Sequence, residues 1–360
     1  MAKLLKDLYS EEYVELLCVN LQKNYSDFKI EDFKSAIFDE TWESKELKER
    51  MRRIALTLGH FLPKDFLKAV AVLKPAFSRM NFAYSLENMV FQDFVEVYGL
   101  EDFEASMDAL AHFTDNSSSE FAIRAFILKR PERTMRQMKI WASSKNHHVR
   151  RLSSEGCRPR LPWAVALPAF KSDPKLVLEI LELLKDDESP YVRKSVANNV
   201  NDVSKDNPDL AMGLSQRWIG ANENRDALLK HGCRTLLKAG NREALNLFGF
   251  LQNETISLDD FQTPNEVKLG EDLEFSFAIK SQTPLGKLRI EFALYFLRKN
   301  GERNKKVFKI SEGLFKEKEK RVRKIYSFKP ISTRAYYKGS QKLAILINGE
   351  VFGQSEFTLF

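Results

Sequence analysis

Up to about residue 250, apolar positions recur every three or four residues. Leu47, Met51, Ile54, Leu58 and Phe61 form one such stripe, and Phe66, Ala69, Val70 and Leu73 form the next. This is the spacing of amphipathic helices that bury one face. The segments end at Leu62-Pro63, Tyr98-Gly99, Arg130-Pro131, Ser189-Pro190 and Ala239-Gly240, dipeptides that stop or restart a helix. The region therefore reads as helix after helix.

Two of these segments echo each other. His148-Val149-Arg150-Arg151-Leu152 is matched by Tyr191-Val192-Arg193-Lys194-Ser195, 43 residues later. A helical unit of about 40–47 residues is the period of a HEAT-type α-solenoid. A weaker echo links Ser154-Glu155-Gly156-Cys157-Arg158 to Lys230-His231-Gly232-Cys233-Arg234 at a different spacing, so the repeats are degenerate.

Near residue 250 the period falls from 3.6 to 2. Leu273, Phe275, Phe277 and Ile279 alternate with polar residues, and Leu288, Ile290, Phe292 and Leu294 largely do so. Further strands are expected at 305–310, 321–328, 341–347 and 351–359, with turns at Asn300-Gly301, Lys338-Gly339 and Asn348-Gly349. About seven short strands in this length suggest an immunoglobulin-like β-sandwich. The stretch contains no cysteine, so no inter-sheet disulfide is expected. The predicted fold class is α plus β in two domains: a HEAT-like α-solenoid over 1–253 and an immunoglobulin-like β-sandwich over 254–360.

Charge sharpens this division. The net charge of +7 is uneven: −7 over residues 1–119, +8 over 120–240 and +6 over 254–360. Basic sections after an acidic one suggest a polyanion-binding surface on the later two thirds, a solvated surface without a partner being the alternative. Cys18, Cys157 and Cys233 are odd in number, far apart and in no CxxC pattern. They fit a reducing, cytoplasmic setting and no standard zinc finger. No apolar run reaches the roughly 20 residues of a membrane span, and the N-terminus has no apolar h-region.

The densest polar segment is HHVRRLSSEGCRPRLPW, His147 to Trp163. Arg150, Arg151, Arg158 and Arg160 surround Glu155, and Arg151 and Glu155 share a helical face at i,i+4, the geometry of an ordinary surface salt bridge as well. In the second repeat Lys194, Asn198 and Asp202 stand at successive i,i+4 positions, so both polar faces are expected on one concave side.

These residues carry a resemblance. SSEFAIR (118–124), RRLSSEGCRPRLPW (150–163) and YVRKSVANNVND (191–202) resemble the AlkC branch of the AlkD-like DNA alkylation-repair glycosylases, HEAT-like enzymes that excise N3-methylated bases. The similarity extends over roughly residues 1–250, and the sandwich is similar in architecture and order to the Ig-like extension of some members. The resemblance implies a DNA glycosylase for 3-methyladenine and 3-methylcytosine in duplex DNA. Glu120, Glu155 and Asp202 are then the candidate catalytic carboxylates, Arg151 holds a carboxylate or phosphate, and Trp163 packs on the sugar or the cationic base. DNA contacts are expected from Arg124, Arg150, Arg158, Arg160, Lys194, Asn198, Asn199, Lys205, His231 and Arg234. No cofactor or metal is expected, and the partner is alkylated double-stranded DNA met by a monomer.

The competing class is a non-enzymatic HEAT scaffold for nucleic acid or protein, which would gain nothing from carboxylates placed near phosphates. His147, His148 and His231 lack a second metal ligand at helical spacing. Cys157 has no triad partner, and no dinucleotide or P-loop motif occurs. The sandwich carries cations at Arg298, Lys299, Arg303, Lys305 and Lys306, and again at Arg321, Arg323 and Lys324. They are expected to grip the DNA backbone opposite the helical domain and help encircle the duplex.

Overall fold

The structure is a computed structural model that describes residues 4–80, 85–331 and 334–360. Among them sixteen α-helices precede eight strands. The predicted stripes form helices: Leu47–Phe61 buries Met51, Ile54 and Leu58, and Phe66–Arg79 buries Ala69, Val70 and Leu73. Pro131 and Pro190 open helices Pro131–Trp141 and Pro190–Asp206, at the one position where a missing amide hydrogen costs nothing. Gly240 closes Arg234–Ala239 at φ 75°, a conformation that disfavours any side chain.

The chain forms two compact units. One comprises Met1–Asn207 with Gly220–Gly232; the other comprises Pro208–Ile219 with Cys233–Phe360. In the first unit the 43-residue echo becomes two contacting helices, His147–Glu155 and Pro190–Asp206. The echoed arginine has one job in both. Arg150 Nη1 donates to the carbonyls of Ser144 at 2.9 Å and Lys145 at 3.1 Å. Arg193 Nη1 does the same to Asp187 at 2.6 Å and Glu188 at 2.8 Å. Each staples the turn before its own helix, satisfying carbonyls that would otherwise lack donors. Arg150 also grips Asp187 at 2.6 and 3.0 Å, which ties one repeat to the turn of the next.

The second unit holds the sandwich: β1 (Ile256–Gln262), β2 (Glu266–Val267), β3 (Asp272–Ser281), β4 (Gly286–Leu297), β5 (Arg303–Phe315), β6 (Glu319–Ser327), β7 (Gly339–Ile347) and β8 (Glu350–Leu359). One sheet runs β1-β3-β6, the other β2-β8-β7-β4-β5, all antiparallel except β2 with β8. Leu273, Phe275, Phe277, Ile290, Phe292, Leu343 and Ile345 pack in the core between them.

Strand β4 departs from strict alternation. Its other face, with Arg289, Glu291 and Ala293, is buried as well. Helices of the same unit explain this. Arg234–Ala239 lies against β5, Arg242 pairs with Glu350 at 2.7 Å, and Asn348 Nδ2 donates to the Leu251 carbonyl at 2.6 Å. Arg289 satisfies the covered carboxylates by donating to Glu291 at 2.6 Å and Glu312 at 2.7 Å. The architecture is an α-helical solenoid followed by an immunoglobulin-like β-sandwich.

Candidate active site

Three segments of the first unit converge. The 114–122 segment is a turn whose serines tie it to its neighbours: Ser117 Oγ donates to the Ser85 carbonyl at 3.0 Å and Ser119 Oγ to that of Leu110 at 2.7 Å. It presents Glu120, which accepts from Ser118 Oγ at 2.7 Å and pairs with Arg151. Arg151 in turn stands 3.5 Å from Glu155. Arg158 donates to Glu155 at 2.6 Å and to Asp202 at 2.9 Å, and Lys205 closes the row on Asp202 at 3.1 Å. Carboxylates and cations thus alternate: Glu120, Arg151, Glu155, Arg158, Asp202, Lys205.

The carboxylates of the row are progressively more buried. The side chains of Glu120, Glu155 and Asp202 are 15%, 6% and 1% exposed. Burial opposes the charge on Glu155, but Arg151, Arg158 and a 2.6 Å hydrogen bond from Ser195 outweigh it. Its pKa therefore lies below the ordinary carboxylate range. Such a row is an array of alternating fixed charges, neutral in sum, whose carboxylates are held by charge-assisted bonds and need no reorganisation when a positive charge develops beside one of them.

The loop after Glu155 is built as tightly. Gly156 admits no Cβ, since one would stand 2.6 Å from Ile123 Cγ2 and 3.0 Å from the Leu152 carbonyl. Beyond Arg160 the chain turns out to Trp163, which is 64% exposed and whose backbone sits at φ 63°. That exposure gives Trp163 a flat apolar face toward solvent, as its expected contact with a sugar or cationic base requires.

Several expected DNA contacts are corrected by burial. Arg124 is 2% exposed and donates to the carbonyls of Val165, Gly156 and Arg158 at 2.5, 2.9 and 2.8 Å; it holds the loop. Burial, with Arg158 nearby, lowers its pKa to about 10, so it remains charged at neutral pH. Asn199 is fully buried and donates to the Ser154 carbonyl at 2.8 Å. Arg150 is the turn staple described above, and Arg158 is enclosed between Glu155 and Asp202. None of these four offers its polar atoms to a phosphate. Asp202 likewise lies beneath the ridge that Lys194 and Asn198 were expected to share with it.

The remaining positions lie outward. Lys194 and His231 line a groove of about 270 Å³ with Arg193, and His231 Nε2 is 3.1 Å from Asn198 Oδ1. Arg160 is half exposed and forks onto Asp206 at 2.7 and 2.5 Å, and Lys205 is exposed. Arg234 opens a helix of the second unit. The sequence reading missed Ser118 and Ser195, which hold the carboxylates, and Tyr191, whose ring centroid lies 5.1 Å from the Arg151 guanidinium. Tyr191 stands at the repeat position of His148, so the 43-residue offset contained that signal. Cys157 is buried and its thiol is pushed up to about 12, which leaves it protonated and unreactive. Among the described residues no three His, Cys, Asp or Glu side chains form a group able to hold a metal, and no helix is long and apolar enough to cross a membrane.

Residues 112–227 match the family of DNA alkylation repair enzymes, and residues 257–360 match the C-terminal Ig-like domain of the uncharacterised protein YhaZ. The chain is 44% identical over 355 residues to uncharacterized protein YhaZ of Bacillus subtilis (strain 168), with 98% of each covered. It is also 32% identical to the alkylpurine DNA glycosylase AlkC of Pseudomonas fluorescens, whose structure was solved bound to DNA containing an abasic site analog. That superposition has a TM-score of 0.94 and covers 99% of this chain and 100% of AlkC. The chain belongs to the AlkC family of DNA alkylation-repair glycosylases. Within that family's fold, the alternating row and the exposed indole lie in the segment that carries the alkylation-repair match, and the sandwich carries the other match.

Proposed function

We propose that this AlkC-family chain is a DNA glycosylase that hydrolyses the N-glycosidic bond of 3-methyladenine and 3-methylcytosine in alkylated duplex DNA. One observation carries the reading: Glu120, Glu155 and Asp202 are threaded on Arg151 and Arg158, with Glu120 the least buried of the three. A scaffold that only clamps DNA has no use for carboxylates fixed in place beside a polyanion.

The chemistry fits cationic bases. An N3-methylated base leaves with the glycosidic electron pair and becomes neutral, so its departure needs little help from an acid. The deoxyribose left behind carries oxocarbenium character at C1′. Glu120 faces it electrostatically, with Glu155 and Asp202 behind, and Trp163 packs on the sugar or the base. Water adds its hydroxyl to C1′ and its proton passes to a carboxylate or to solvent. Arg151 keeps Glu120 and Glu155 apart and fixed.

DNA is held by polar side chains of both units: Lys194, Arg160, Lys205, His231 with Asn198, and Arg234. In the sandwich, Arg321, Arg323 and the cations of the β4–β5 turn supply backbone contacts. The enzyme acts as a monomer on cytoplasmic DNA, a setting consistent with its free, buried cysteines. The test is release of methylated base from dimethyl-sulfate-treated duplex in EDTA, followed by chromatography. Free 3-methyladenine is expected; no released base would end the enzyme reading.

A further inference from the structure

Helix Leu47–Phe61 lies in the part of the sequence that offers no specific motif, yet its Lys48 reaches the site. Lys48 Nζ donates to the backbone carbonyl of Trp163 and stands 4.3 Å above the centroid of the Phe121 ring. Phe121 is the neighbour of Glu120. One ammonium therefore joins the segment that presents the outermost carboxylate to the segment that presents the exposed indole. It lies between two open cavities of about 750 and 640 Å³, both of which it lines.

Trp163 needs such a partner. A bulky residue at φ 63° sits in a sparsely populated backbone region that persists only where its surroundings fix it. Two cations fix this loop through its carbonyls. Arg124, deep in the unit, takes those of Gly156, Arg158 and Val165, and Lys48, at the mouth, takes that of Trp163. The cation–π contact with Phe121 adds a second anchor for the ammonium.

We infer that Lys48 is a positioning residue of the glycosylase site: it pins Trp163 in its left-handed backbone and sets the indole beside Glu120. The inference rests on the proposed glycosylase activity for its kinetic reading, and has an independent physical reading in the protein alone. Lys48 touches a backbone carbonyl and a ring face, so its removal should loosen one loop and leave the buried row intact.

The test uses the full chain with Lys48→Met, Lys48→Arg, Trp163→Ala, and Lys48→Met combined with Trp163→Ala. Lys48→Met is expected to lower the single-turnover excision rate at saturating enzyme about tenfold, with half-saturation unchanged within twofold and Lys48→Arg restoring most of the rate. The double variant should be no slower than Trp163→Ala alone, because both changes remove one function. Without DNA, the anisotropy assigned to Trp163, by difference from matched Trp163→Phe chains, should fall in Lys48→Met and recover in Lys48→Arg. Unchanged anisotropy in Lys48→Met would overturn the inference even if no base were released by any chain. So would a loss confined to half-saturation, which marks a phosphate contact, or a double variant slowed by the product of the single effects.

Discussion

Two sets of arginines, one in each unit of this molecule, are used in opposite ways. In the first, Arg124, Arg150 and Arg158 are 2%, 9% and 6% exposed, and each is committed to carbonyls or carboxylates of the protein itself. In the sandwich, the side chains of Arg321 and Arg323 are 70% and 73% exposed, paired only with surface acids. The sections that hold these arginines, 120–240 and 254–360, are both basic in sequence, at +8 and +6. The difference teaches that net charge marks where cations were recruited, whereas burial decides whether they hold the protein or face its partner.

Breaking the buried set should have the largest effect. Arg158→Met leaves Glu155 and Asp202 without the cation between them, with only Arg151 and Lys205 at the two ends, and breaking a buried ion pair by removing one partner costs about 3–5 kcal/mol. Urea unfolding at pH 7 should show that loss, and a change below about 1 kcal/mol would mean that the row is not a structural unit.

Glu155→Gln removes one charge and keeps the shape, so a smaller loss of about 1–3 kcal/mol is expected. Its pH dependence has a definite sign. The folded pKa of Glu155 is lowered, so its stabilisation is complete above the unfolded value of about 4.3 and disappears as pH falls through the folded value. The thermal midpoints of wild type and Glu155→Gln should therefore differ at pH 7 and converge well below pH 4. A gap that persisted unchanged into strong acid would contradict the assignment.

The smallest effect on stability belongs to the sandwich cations. Arg321→Ala with Arg323→Ala should leave the unfolding midpoint unmoved, since exposed pairs contribute little. The same change should weaken DNA binding and reduce its salt slope by about 0.9 for each phosphate that is no longer neutralised. Point changes test this better than deletion after residue 253. The helix Arg234–Ala239, Arg242 and Leu251 all contact the sandwich, so that cut would strip partners from both sides. An unchanged salt slope would leave the sandwich without a role in DNA binding.

Much of this was legible in the chain, and the limits are physical. Helix stripes, their Pro and Gly stops, the 43-residue repeat and the change to period 2 depend on local spacing, and all appear in the fold. The Arg151–Glu155 pair was legible for the same reason. The bonds of Arg158 to Asp202 and Lys48 to Trp163 span 44 and 115 residues, and no periodicity encodes them. Nor does a sequence reveal that Arg150 and Arg193 turn back onto carbonyls five and six residues upstream; an arginine in a basic segment reads as a DNA contact until its partners are seen. Strand β4 reads as half-exposed because the helices that cover its second face lie elsewhere in the chain.

The central claim is that the carboxylate row acts on the reaction while exposed cations act on binding. Single-turnover release of 3-methyladenine, measured across enzyme concentration for wild type and Glu120→Gln, separates the two most directly. The account predicts a maximal rate lowered about 10²-fold or more with half-saturation nearly unchanged, as expected of a group that acts only in the transition state. A wild-type maximal rate in Glu120→Gln, or a loss seen only in half-saturation, would contradict it.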